Sequence, residues 1–210
     1  MLTLTNSHIF PITHCMVFVI CLWLCHHSMM QTNLITKHEY SLMIFILTFS
    51  IITSIVNGAM MRSIKSVVGG LVITAFAIPL MYAVIVLFGA QLTEEIYQTF
   101  CLASLLSSLC VLNTASVLGT SSDLWIRVLI LHRPLSTIEA MVMFTSYGGI
   151  LGAWLGAFTI PLDWDRPWQV WPIPCSIGTM MGYGAGLVIS LLEKLLVNRS
   201  HSYDKDHKFA

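Results

Sequence analysis

The residues of this chain best equipped for chemistry are Asp163 and Asp165, which flank Trp164 and are followed at once by Arg166. Two such carboxylates can share a divalent cation or divide acid and base roles between them. Neighbours at i and i+2 in a turn commonly point apart, and neither a histidine nor a third carboxylate lies nearby in sequence. The pattern favours a polar loop between helices in which Arg166 pairs with one of the carboxylates. A second grouping is Cys21, Cys25, His26 and His27. Zinc wants four aligned nitrogen or sulfur ligands. The spacing here matches no zinc finger or ribbon, so these cysteines are expected to act as small apolar side chains. Gly119-Thr-Ser-Ser122 superficially resembles the setting of a serine nucleophile. It has no convincing histidine partner, and serine-rich helix ends are commoner than nucleophiles. No catalytic residue, metal site or cofactor is therefore expected.

The elements that must position these residues are set by where charge is missing. The chain has 210 residues, 56% apolar and 10% charged, with ten Lys/Arg balancing ten Asp/Glu. Its mean hydropathy is +0.81. A soluble domain carries about 25% charged residues, so this chain belongs in a bilayer. A zero net charge offers no basic field for nucleic acid. No Asp, Glu, Lys or Arg occurs in Met1–Thr36, Tyr40–Met61, Ser66–Thr93, Ile96–Ser122, Ala140–Leu162 or Pro167–Leu192. Each window exceeds the ~18–20 apolar residues that a helix needs to cross ~30 Å of hydrocarbon. Backbone groups in lipid must be satisfied internally, which makes each window helical. Runs such as Leu42-Met43-Ile44-Phe45-Ile46-Leu47 do not alternate, which excludes a β-barrel.

The fold class expected is all-α: one polytopic membrane domain, residues 1–210, with six spans near 9–30, 41–61, 67–90, 97–119, 140–161 and 168–192. Pro79 falls inside span three and is expected to kink it, and Pro161 to end span five. Eight Lys/Arg fall in the second and fourth loops and the tail, on the same side as an N-terminal segment that has none, against Lys37 and Arg166 alone in the other loops. The positive-inside rule then predicts both termini, and a tail at 193–210, in the cytosol. The uncharged spans argue against a proton-coupled transporter, an ion pump or a voltage sensor.

The strongest physical signal concerns packing. Gly148, Gly152 and Gly156 repeat every four residues in span five, beside Gly149, Ala153 and Ala157. Gly178, Gly182 and Gly186 repeat the pattern in span six. Residues four apart stack on one helix face, and small-residue faces are a principal route to helix association in lipid. Two readings stand side by side: the two spans pack on one another, or these six glycines receive a partner's helix. Between the spans, Trp164, Trp168 and Trp171 suit a membrane interface.

The C-terminal third also resembles a known family. Gly152-Ala-Trp-Leu-Gly-Ala157, Ile160-Pro-Leu-Asp-Trp164, Arg166-Pro-Trp-Gln-Val-Trp-Pro-Ile173 and Gly182-Tyr-Gly-Ala-Gly-Leu-Val-Ile-Ser190 are similar to the signature of the PIG-F family. Leu87-Phe-Gly-Ala-Gln-Leu92 and Trp125-Ile-Arg-Val128 resemble weaker segments of it. The resemblance implies a non-catalytic multi-pass subunit of the endoplasmic reticulum membrane in glycosylphosphatidylinositol (GPI) anchor assembly. Its implied partners are the PIG-O-like and PIG-G-like ethanolamine phosphate transferase subunits, which move phosphoethanolamine onto GPI mannoses. No catalytic residues carry over from the family. The competing reading is a small integral-membrane enzyme, or a phospholipid-binding or translocating protein, that meets a lipid headgroup with the loop Asp163–Arg166.

Overall fold

Long apolar runs without charge leave the backbone one way to satisfy its polar groups in lipid, and the chain takes it. The computed structural model describes residues 4–30, 38–162 and 164–207, and it is built of helices joined by short turns, with no strand among the described residues. In chain order the helices are α1 (Leu4–Met30), α2 (His38–Met61), α3 (Ile64–Leu87), α4 (Ile96–Leu106), α5 (Leu112–Leu118), α6 (Ser122–Trp125), α7 (Thr137–Ala157) and α8 (Ile173–His207). A π turn at Ser107–Val111 joins α4 to α5, and these form a single crossing. Among the described residues six segments are thus long and apolar enough to span a membrane.

Several boundaries differ from the sequence expectation, each for a local reason. Helix α7 stops at Ala157, four residues short of Pro161. Phe158, Thr159 and Ile160 tighten into turns that bond three residues back, as chains do when a proline ahead disfavours the helical region. Helix α8 opens at Ile173 rather than near 168, because Pro167–Gln169 forms a 3-10 turn first. Helix α3 starts at Ile64, where Ser63 caps it by accepting from the Ser66 amide at 3.3 Å. It begins directly after Arg62, whose φ of +49° makes the reversal from α2.

Burial sorts the spans into a centre and a periphery. Every residue from Cys101 to Ser116 is buried, so the α4–α5 crossing stands inside the others. Helices α3, α2, α1, α8 and α7 surround it, with α7 and α8 forming the most extensive pair. Helix α1 turns Phe10, His14, Val17, Phe18, Cys21 and Cys25 inward, an i, i+4, i+7 spacing that marks one helical face. Phe18 meets Phe45 and Phe49 of α2 edge-on at 6.3 and 6.4 Å, and Tyr183 of α8 lies 5.0 Å from Phe18. Outward faces are apolar instead: Met16 and Trp23, Leu47 and Ile51, Phe76 and Leu80, Trp154 and Leu155, and Met181 are all exposed. That is the pattern of a bundle solvated by lipid tails.

Where the circle is thinnest, between α3 and α7, a short segment closes it. Helix α6 runs into a second π turn, Ile126–Ile130. Trp125 packs against the cluster containing Ala77 of α3 and also against the one containing Met143 of α7. Its indole donates to the Gly119 carbonyl at 2.8 Å, and Arg127 pairs with Glu139 at 2.8 Å to fasten the far side.

Candidate functional site

The six glycines meet each other. A Cβ on Gly148 would collide with the Gly182 carbonyl, and one on Gly152 with the Gly178 carbonyl; the reverse collisions hold from Gly182 and Gly178. Gly156 abuts the Pro174 carbonyl and Gly186 the Phe144 carbonyl in the same way. Backbone therefore lies on backbone from Phe144 to Gly156 of α7, and no other residue fits at these glycines. The parallel row turns inward as well: a Cβ on Gly149 would sit 2.6 Å from the Cys110 sulfur, and Ala153 and Ala157 pack on the main core. Of the two readings of these glycines, the structure realises the internal one. Their backbones are already occupied, so they do not form an open face for a partner's helix.

The turn that joins the pair is held by a residue the sequence reading passed over. Gln169 donates through Nε2 to the carbonyls of Thr159 and Leu162, at 2.8 and 2.7 Å, while its Oε1 accepts from the Arg166 amide at 2.9 Å. Three bonds from one amide tie the end of α7 to the start of α8. Asp165 takes a left-handed φ of +44° and is exposed, as is Arg166. Among the described residues the one ion pair is Arg127–Glu139, so the expected Arg166–Asp165 pair does not form. Asp163 lies outside the described residues. Trp164 and Trp168 are exposed and stack edge to face at 5.9 Å. Trp171 points the other way, its indole donating to Thr99 Oγ1 of α4 at 3.1 Å, which seats the turn on the central crossing.

A second polar group lies deep in the bundle, and the sequence reading missed it. His14 Nε2 and Asn57 Nδ2 both approach Asn113 Oδ1, at 3.2 and 3.3 Å. Asn113 Nδ2 is 2.8 Å from the Tyr183 hydroxyl, and His14 Nδ1 is 3.0 Å from the Phe10 carbonyl. All four side chains are 0–1% exposed and come from four helices. None of them carries a formal charge at neutral pH, so windows free of Asp, Glu, Lys and Arg do not reveal them. Two asparagines and a histidine in apolar helices were the available signal. Nearby, the Ser146 hydroxyl of α7 donates to the Cys110 carbonyl in the π turn at 2.9 Å and meets Thr114 Oγ1 at 2.9 Å.

The remaining candidates serve packing. Cys21 and Cys25 are buried, and Cys25 Sγ is 3.7 Å from the Ser41 carbonyl. His27 rests on Trp23, with ring centroids 5.6 Å apart. Among the described residues no three His, Cys, Asp or Glu side chains gather as metal ligands. Gly119, with φ of +64°, ends α5, and Ser121 precedes α6 as its cap. The arrangement as a whole positions helices with great economy of side chain and brings no nucleophile to a base among the described residues.

Comparison with known proteins gives this geometry a context. The family model described as "GPI biosynthesis protein family Pig-F" matches residues 3–191. A Mus musculus protein named "GPI ethanolamine phosphate transferase, stabilizing subunit" is 45% identical over 113 residues, which cover 54% of this chain and 52% of that one. The Homo sapiens protein of the same name is 44% identical over 111 residues, covering 53% and 51%. A "PIGF/3-ketodihydrosphingosine reductase fusion protein" of Schizosaccharomyces pombe is 42% identical over 106 residues, covering 50% of this chain and 21% of that protein. The chain spans about half the length of the curated relatives it matches. No solved structure matches it.

Proposed function

Because the chain belongs to the GPI biosynthesis protein family Pig-F, we propose that it is a non-catalytic membrane subunit that binds and stabilises the ethanolamine phosphate transferases of GPI-anchor assembly. The observation that carries this reading is the family match across residues 3–191, joined to relatives named as the stabilizing subunit of that transferase. Its partners are then the PIG-O-like and PIG-G-like catalytic subunits, and its place is the endoplasmic reticulum membrane. The chain acts as one six-span domain with both termini and the segment 193–210 in the cytosol. The turn between α7 and α8 faces the lumen. The geometry suits such a role. Its polar side chains hold helices to one another, its outer faces are apolar, and α7–α8 is a rigid hairpin on a buried central span.

Cells lacking the endogenous subunit test the proposal. Restoring this chain should raise the amount of transferase recovered with it and should clear GPI precursors that lack ethanolamine phosphate. A tag after Ala210 should be reached by antibody when only the plasma membrane is opened. Failure to recover either transferase would overturn the reading, and protection of the tag would overturn the orientation. The exposed Arg166, Trp164 and Trp168 favour one rival, recognition of a lipid headgroup by this turn. Arg166→Ala with normal complex but lost turnover would promote that rival.

A further inference from the structure

The hydrogen bonds around Asn113 have a direction, and it can be worked out. The Phe10 carbonyl can only accept, so His14 Nδ1, 3.0 Å away, carries a proton. The ring is buried, its polar neighbours are the Phe10 carbonyl, Asn113 and Asn57, and no carboxylate is among them. An unpaired charge there would be costly, so the ring is neutral and its Nε2 must accept. The atom facing Nε2 at 3.2 Å is therefore the NH2 of Asn113, since an amide's oxygen and nitrogen exchange places by a half-turn of the side chain. That half-turn resolves the rest. The second N–H of Asn113 reaches the Asn57 amide, which turns its oxygen to receive it at 3.3 Å. The Asn113 oxygen then accepts from the Tyr183 hydroxyl at 2.8 Å.

One chain results, Tyr183 O–H to Asn113 to His14 to the Phe10 carbonyl, with a branch to Asn57. It fastens α8 to α1, α2 and α5 at a single register. The glycine seam cannot do this, because it joins α8 only to α7. Resting on the stabilising-subunit reading, we propose that His14, Asn57, Asn113 and Tyr183 form a polar keystone whose one hydrogen-bond direction fixes the pose in which the α7–α8 hairpin is presented to the transferase. These are positioning residues. A buried polar network of this kind adds little stability over an apolar replacement but selects one arrangement.

The test separates pose from folding. In bilayers, the 15N spectrum of histidine-labelled protein, minus that of His14→Gln, should show a neutral ring protonated at Nδ1. A ring protonated at Nε2, or at both nitrogens, would overturn the direction and with it the keystone. The quadruple variant His14→Leu, Asn57→Leu, Asn113→Leu, Tyr183→Phe removes the network as a unit. It should melt within a few degrees of the wild type yet recover about threefold to tenfold less transferase, from interhelical bonds of about 1 kcal/mol each. His14→Gln, whose side-chain oxygen can still accept from Asn113, should recover nearly the wild-type amount. A folded quadruple variant with full recovery would overturn the proposal. If that variant does not fold, Tyr183→Phe removes one hydroxyl alone and should lower recovery about threefold, whereas unchanged recovery overturns it. Should the wild type itself recover no transferase, the functional reading falls, while the spectrum still decides the keystone.

Discussion

Gln169 and Arg166 sit three residues apart in one turn and divide its work in a way their types conceal. An exposed arginine directly after two aspartates looks like the fastening, yet the neutral amide makes three bonds inside the turn. The physical reason is that a surface ion pair gains little in water or among headgroups, whereas two carbonyls at the end of a helix need donors. Gln169→Ala should therefore lower stability by about 1–3 kcal/mol, seen as a lower melting temperature in detergent. Arg166→Ala should shift it by about 0.5 kcal/mol or less. A larger effect at Arg166 would return the clamp to the charged side chain. The tryptophans were legible as a group, but their division was not: Trp164 and Trp168 face outward while Trp171 donates to Thr99. That difference depends on a contact 72 residues away in sequence, which local pattern does not encode. His14, Asn57 and Asn113 were passed over for another reason. A search for formal charge does not register polar groups that bear none.

Helices were the most legible level. Windows without charge predict six crossings, and among the described residues six helices are long and apolar enough to make them. Their ends moved where proline and turn chemistry intervene, at Ala157 and Ile173. The glycine rows were visible as rows, but nothing in a four-residue repeat says whether its complement lies in the same chain. Here it does, and this makes a sharp prediction. Gly152→Leu or Gly182→Leu places a branched side chain against a carbonyl that cannot rotate away. The cost should lie at or above the ~3 kcal/mol upper end of overpacking, measured as loss of folded, extractable protein. Gly69→Ala on α3 is the contrast. A Cβ there meets nothing within 4 Å, so the change should be neutral or gain up to about 1 kcal/mol of helix propensity. Equal damage from both would mean that the seam is no tighter than the rest of the bundle.

At the scale of the molecule, the feature that hydropathy could not show is which span stands in the middle. The α4–α5 crossing does not stand out by apolarity: its mean hydropathy of 1.8 falls between 2.4 for α3 and 1.3 for α7. It nevertheless is buried throughout from Cys101 to Ser116, while α3 faces largely outward. In lipid the inner span is marked by its small and polar residues, among them Ser104, Ser107, Ser108, Asn113, Thr114 and Ser116, which need protein partners. Some of those partners are synthesised later. Asn113 waits for Tyr183, and Thr114 and the Cys110 carbonyl wait for Ser146. During translation the fourth span therefore enters the membrane with His14, Asn57 and Ser66 already present but before α7 and α8 can cover the rest of its polar side, and the nascent bundle passes through a stage with some hydrogen-bonding groups unmet. Chains halted at Leu135 should be held by membrane chaperones and turned over faster in pulse–chase labelling than chains extended through Ser190. The arrival of the last hairpin is then the event that releases the newborn protein from surveillance, and equal lifetimes for the two lengths would contradict it.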